Sequence, residues 1–414
     1  MSTLRSSWRS FQSTCTSPRG VRGGVVIAIN SNRRWPVRSP DYTLLALIAV
    51  LTVTGLVAVY SASFVIGLAQ FSDSHHFIVR QALWAVMGGV LLLAATRLDY
   101  HMLRRFAFPL MGLTLVLLLF TLIIGTEAGG AQRWLTLGSF SLQPAEFTKL
   151  SVIIYLAAWL NSRGDNLRSF EHGLLPFIVI ISAIGLLLML QPDLGTTGII
   201  IAITITMFWA AGATFLQMSA LFLSGGIAVV SLTLIEGYRL DRLSAFLSAE
   251  SDPLGSGFQT LQALIALGNG GATGLGLGAS RSKFFYVPES HTDGIFAILG
   301  EELGLVATSA VLILFVTLML KGYQIARRAP DQFGFLLATG ITTWIATQAF
   351  ANIGGITRMI PLTGVPLPFL SYGGSALAAT LLAVGVLASV SRFSDTRETR
   401  HDYTETPSQR RDES

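Results

Sequence analysis

The residues best suited to chemistry sit in "YVPESHTDGIFAILGEELG", residues 286–304. A polar cluster ends at Asp293 and gives way at once to an apolar run that carries two further carboxylates, Glu301 and Glu302. A second set lies in "SLQPAEFTKL", residues 141–150, where Glu146 and Lys149 stand three apart, close enough on one helix to pair. Arg80, in "HHFIVRQALW", and Arg133, in "GAQRWL", are isolated cations in apolar surroundings. An acid at such a boundary can take a proton from a hydroxyl, and arginine or lysine nearby can grip a phosphate. The six histidines show no ligand spacing beyond the adjacent pair His75 and His76, and the single Cys15 excludes an internal disulfide. No dedicated metal cage is legible.

Composition says what must hold these groups. Of 414 residues, 51% are hydrophobic and 12% charged, with a mean hydropathy of +0.60. Soluble domains carry about 25% charged residues, so this chain is built for lipid. Apolar segments fall at 43–69, 78–96, 106–124, 146–160, 174–190, 194–212, 215–235, 292–320, 333–352 and 367–390. Many approach the roughly 20 residues that cross a hydrocarbon core. Lipid offers no partner to a sheet edge. The expected fold is therefore all-α, a polytopic integral membrane protein of ten transmembrane helices. Residues 1–41 and 393–414 read as disordered cytoplasmic tails around a membrane domain, 42–392.

Basic residues set the orientation. With both termini inside, cytoplasmic segments hold 20 arginines and lysines and outer segments 6. Two outer loops then stand out, 125–145 and the long 236–291. The second is rich in glycine and in periodic apolar residues, which predicts ordered short helices at the outer membrane surface. Parity puts Asp293 on that same face.

Ionisable side chains in spanning helices are costly and by default mark function. Asp293 has two readings: an acid placed at a helix N-terminus, where the dipole favours it, or a reacting group. On a continuous helix it shares a face with Ala297, Gly300 and Gly304. Those small residues would admit a lipid chain or another helix. Glu301, about 12 Å deeper, and Glu302, on the opposite side, read as structural, with at least one bonding a neighbouring helix. Glu146 and Lys149 read as a self-neutralising pair or as a phosphate site, and Arg80 as a second phosphate candidate or a snorkelling residue. "QPDLGTTG" (191–198) reads as a tight outer turn.

Taken in order, "GAQRWLTLGSFSLQPAEFTKL", "QPDLGTTG", "ESDPLGSGFQTLQALIALGNGG", "VPESHTDGIFAILGEELG" and "PLPFLSYGGS" resemble the SEDS family, the shape, elongation, division and sporulation proteins, across 41–392. The long charged tails liken the chain to the division members, FtsW, more than to the elongation ones, RodA. The resemblance implies a peptidoglycan glycosyltransferase that polymerises lipid II at the outer face of the cytoplasmic membrane. It further implies that Asp293 is the catalytic carboxylate, as base or as metal ligand, and that Trp134 is required. Arg80, Arg133, Gln143, Glu146 and Lys149 would bind substrate. A divalent cation, Mg or Mn, is an implied helper, no organic cofactor is expected, and nucleic acid is not an expected partner. A class B penicillin-binding protein on a separate chain, other divisome proteins and membrane lipid are. Gly294 stands where the family has Phe, and Ala145 where it has Ser. Two rival functions use the same residues: a lipid II transporter and a non-catalytic divisome scaffold.

Overall fold

The computed structural model describes residues 38–128, 131–137, 140–235, 246 and 257–393. Nearly all of both expected tails, and loop residues 236–245 and 247–256, lie outside the described residues. Each of the ten expected segments forms a helix: α1 (Tyr42–Phe71), α2 (His76–Arg97), α3 (Leu103–Ile124), α4 (Pro144–Arg163), α5 (Leu175–Leu190), α6 (Leu194–Ala210), α7 (Phe215–Ile235), then α9 (Ile295–Arg327), α10 (Gln332–Ile356) and α11 (Gly374–Arg392). An eleventh, α8 (Phe258–Gly270), belongs to the long loop. By length and composition seven of these can cross a membrane: α1, α2, α3, α5, α9, α10 and α11. α6 is apolar but only 17 residues long, and the apolar stretch Phe215–Gly226 of α7 is shorter still, while α4 carries Glu146, Lys149 and Arg163.

Local chemistry sets the ends. Asp41 accepts from Leu44 N, Asp193 from Thr196 N and Asp331 from Gly334 N, each at 3.1 Å, satisfying donors that a first helical turn leaves orphaned. Pro144 takes the first turn of α4, where its missing N–H costs nothing. α10 and α11 form the interior, with 83% and 78% of their most apolar windows buried, against 22–33% in the other five spans. Val57 on α1, Val86 on α2 and Ile123 on α3 remain exposed, as residues facing lipid do.

The 125–145 loop holds a small antiparallel sheet, β1 (Thr126–Ala128), β2 (Ala131–Leu137) and β3 (Phe140–Leu142). Its register pairs Thr126 with Trp134 and Leu135 with Leu142. The long loop, expected to form ordered short helices, does hold α8, and its later half packs against the bundle. It runs down beside α9, about 12–16 Å along the axis from Asp293.

The cause is a break in α9. Gly304 has φ 72° and ψ −171°, which interrupts the helical ladder. The freed carbonyls of Glu301 and Glu302 accept from Leu275 N (3.0 Å) and Gly276 N (2.9 Å), while Leu305 N and Val306 N donate to Gly271 O (2.9 Å) and Ala272 O (3.2 Å). Irregular backbone at membrane depth survives only with such partners. The face carrying Gly300 and Gly304, expected to admit a lipid chain or another helix, takes the helix: α8 and the chain after it fill it. A Cβ on Gly300 would fall 2.4 Å from the Leu267 side chain, and one on Gly304 2.4 Å from Gly274 N.

The same packing buries Glu301 and Glu302, at 0% and 3% exposure. Glu302 accepts from Ser61 Oγ of α1 at 2.6–2.7 Å and pairs with Lys283 Nζ at 2.8 Å. Lys283, counted from sequence as an outer surface charge, is fully buried. Glu301 accepts from Ser280 Oγ and from Ser282 N. Both acids hold the loop to the bundle.

Candidate active site

Asp293 lies in the turn just before α9, whose N-cap residue is Gly294; the helix starts two residues later than a start at Asp293 would require. Three consecutive carbonyls of this turn are held from one side. His291 O accepts from Tyr372 N at 2.9 Å, Thr292 O from Ser371 Oγ at 2.7 Å, and Asp293 O from Asn352 Nδ2 at 3.0 Å. Gln81 of α2 fastens the donor loop in turn, giving to Ser371 O and accepting from Gly373 N, both at 3.2 Å. At Gly294 a Cβ would meet Val287 Cγ1 at 2.9 Å, so the buried Val287 occupies room that a larger residue at 294 would need.

Asp293 is half-buried and lines a cavity of about 990 Å³. The same cavity is lined by Arg80, Arg133, Trp134, Gln143 and Glu146, so six of the seven residues expected from sequence meet there. α2 supplies Arg80 one turn into the helix. The sheet supplies Arg133 and Trp134, with Thr126 Oγ1 donating to Trp134 O at 3.1 Å. Arg133 is aimed by the 191–193 turn, its Nε giving to Gln191 O at 3.0 Å and its Nη2 to Pro192 O. Gln143 N donates to Ser375 Oγ of α11 at 3.3 Å.

Lys149 is the exception. It is fully buried beneath the wall, where it pairs with Glu146 at 2.8 Å, donates to Gln348 Oε1 at 2.8 Å and sits 4.9 Å from the Trp344 ring centroid. Its geometry is that of a counter-ion that fixes Glu146, not of a phosphate ligand. The pair presents a neutralised carboxylate to the cavity, leaving Arg80 and Arg133 as cations on its wall.

Charge states near Asp293 follow from burial. Desolvation lowers the His291 pKa against the opposing pull of Glu289, so its imidazole is neutral at neutral pH. Burial raises the Tyr372 pKa although Arg80 beside it acts the other way, so the phenol keeps its proton. Among the described residues no three His, Cys, Asp or Glu side chains gather where they could hold a metal ion.

Sequence reading passed over Gln81, Gln348, Asn352 and Ser371, because only ionisable residues were weighed within spanning segments. Uncharged amides in an apolar run were the available signal: Gln348 and Asn352 stand one turn apart in α10. Asp193 was seen only as part of a turn. It also lines the cavity.

Residues 42–396 match the FtsW, RodA and SpoVE family model, described as "Cell cycle protein". The chain is 44% identical over 358 residues to stage V sporulation protein E of Bacillus subtilis, covering 86% of this chain and 98% of that protein. It is 41% identical over 365 residues to the probable peptidoglycan glycosyltransferase FtsW of Trichlorobacter lovleyi, covering 86% and 95%. Among solved structures it resembles a chain of a peptidoglycan synthase complex that coordinates polymerization and crosslinking, with TM-score 0.71, 28% identity and coverage of 86% and 99%. The rod shape determining protein RodA of Thermus thermophilus is also similar, with TM-score 0.64, 26% identity and coverage of 86% and 98%. The chain thus belongs to the FtsW/RodA/SpoVE family of cell cycle proteins.

Proposed function

We propose that this chain is a peptidoglycan glycosyltransferase that polymerises lipid II at the outer face of the cytoplasmic membrane, with both termini inside. The reading rests on one observation above all: a half-buried carboxylate, Asp293, shares a single large cavity with Arg80 and Arg133, in a chain whose relatives are named for this activity. The likeness to FtsW proteins supports septal wall synthesis as its setting, with the sporulation relative drawing on the same chemistry.

Chain growth joins the 4-hydroxyl of an acceptor GlcNAc to the anomeric carbon of a donor MurNAc. The hydroxyl proton passes to the Asp293 carboxylate as the new C1–O4 bond forms. The C1–O bond to phosphate breaks, and undecaprenyl pyrophosphate departs with the electron pair. An α-linked donor giving a β-linked product requires one inversion, so no covalent carboxylate is needed. Arg80 and Arg133 offset the charge gathering on the pyrophosphate. With the Gly300 face filled, the polyprenyl tail runs instead along exposed Val79 and Leu83 of α2, both on the cavity wall. Asp293 is the residue that would hold a divalent cation here, and such an ion would supply charge compensation for the pyrophosphate. A class B penicillin-binding protein, supplied as a separate chain, is the expected partner, within a larger division assembly.

The test mixes the full chain and its transpeptidase partner with lipid II, wild type against Asp293→Asn. Glycan strands from wild type alone support polymerisation by this carboxylate. Equal strand synthesis by both preparations, or none from either, overturns the reading. Transbilayer movement of lipid II without polymer identifies a transporter instead.

A further inference from the structure

A reacting carboxylate needs a fixed direction, and α10 supplies part of what holds the turn that carries Asp293. α10 carries two buried amides one turn apart, Gln348 at 1% exposure and Asn352 at 4%. Residues four apart share a helix face. Asn352 Nδ2 gives one hydrogen to Asp293 O (3.0 Å) and the other to Val365 O (2.9 Å). Gln348 Nε2 gives to Pro366 O at 2.9 Å, while its Oε1 accepts from Lys149 Nζ (2.8 Å) and Trp344 Nε1 (2.7 Å). Neighbouring carbonyls, Val365 O and Pro366 O, are thus gripped by the two amides. The far side of each grip leads toward a cavity acid, to the backbone carbonyl of Asp293 directly and to the Glu146 carboxylate through Lys149.

Asn352 Oδ1 is buried and accepts no hydrogen bond. A buried unmet acceptor is costly, so the side chain is retained for its two donors. Turning the amide over would set its oxygen against two carbonyls, which fixes the orientation.

We propose that Asn352 is a positioning residue for Asp293. It sets the peptide plane that follows the acid, and with Gln348 it registers the two cavity carboxylates against each other across a single helix face. This rests on the polymerase reading above. Misplacing a reacting group by about 1 Å costs on the order of 10²-fold in rate, so a loosened peptide plane beside Asp293 is read out in kcat.

The experiment uses the full chain with its transpeptidase partner and lipid II. It compares wild type, Asp293→Asn, Asn352→Leu, Ser371→Ala and the last two combined, with turnover expressed per molecule that binds lipid II. The expected result for Asn352→Leu is a kcat lower by about 30- to 100-fold with KM within about threefold. Ser371→Ala, which removes the neighbouring grip on Thr292 O, falls less. The double variant loses less than the product of the two, since both grips hold one turn. Ser371→Ala also carries the test should Asn352→Leu not fold. Wild-type turnover in both variants beside an inactive Asp293→Asn overturns the positioning role and leaves the polymerase reading standing. A loss fully accounted for by fewer lipid II-binding molecules overturns it as well. Equal activity, or none, in wild type and Asp293→Asn removes the polymerase reading and the inference with it.

Discussion

Asp293 and the Glu301–Glu302 pair lie within ten residues of each other, yet the fold treats them in opposite ways. The buried pair is held by its side chains: Glu302 by Ser61 and Lys283, Glu301 by Ser280 and Ser282. Around Asp293 the grip falls on backbone carbonyls, and the half-buried carboxylate reaches the cavity. A carboxylate buried among protein partners and shut away from the large cavity is cement. One that lines an open volume, on a turn whose backbone is fixed, is placed to react.

The sharpest way to break this contrast is to exchange the two failures. Asp293→Asn is expected to cost about 10²- to 10⁴-fold in polymerisation, the usual worth of a general base, with little change in thermal unfolding. Glu302→Ala should do the reverse. It leaves Lys283 buried without its carboxylate, a loss of about 3–5 kcal/mol, and replacing the pair together by Met and Leu should restore most of it. Unfolding curves and lipid II turnover on the same preparations check both. If Glu302→Ala keeps its stability while losing turnover, the division between cement and reactant fails.

Smaller effects sharpen the picture. Arg80→Ala removes an exposed cavity cation and should weaken lipid II binding by about tenfold or more, on the scale of a hydrogen bond to a charged group, read as a rise in KM. Gly300→Val pushes a side chain into Leu267 and should cost about 1–3 kcal/mol of stability by overpacking. Had the face been a lipid groove, activity alone would suffer, so the melting temperature discriminates. The smallest effect concerns His291. Its folded pKa lies below the ordinary 6.5, so the unfolded chain binds more protons between the two values. Its contribution to stability is complete above pH 6.5 and fades as pH falls through the lowered value. Melts of His291→Gln should show a flatter pH dependence than wild type across that window.

Much of this was legible beforehand because it is local. The ten helices follow from apolar runs, and Asp293, Arg80, Arg133, Trp134, Gln143 and Glu146 carried enough chemistry to be singled out before any contact was known. What escaped depends on distant partners. Asn352 meets Asp293 across 59 residues and Gln81 meets Ser371 across 290, and neither amide advertises a charge. Lys283 looked like a surface residue because its counter-ion lies 19 positions away, across the turn that starts α9. The small face at Gly300 was read as open to a lipid chain or a helix, and which of the two fills it depends on α8, whose Leu267 lies more than 30 positions earlier in the chain.

That break divides α9 mechanically. Residues 295–303 share backbone bonds with the loop at Leu275 and Gly276, and the chain resumes at Leu305 and Val306 bonded to Gly271 and Ala272. The loop is stitched across both lips of the interruption, so it acts as a splint on which the N-terminal third of the helix rides. A force applied to residues 271–276 would reach the acid's pedestal without first bending the longer shaft that follows Gly304, which makes this splint a short lever on the turn that carries Asp293.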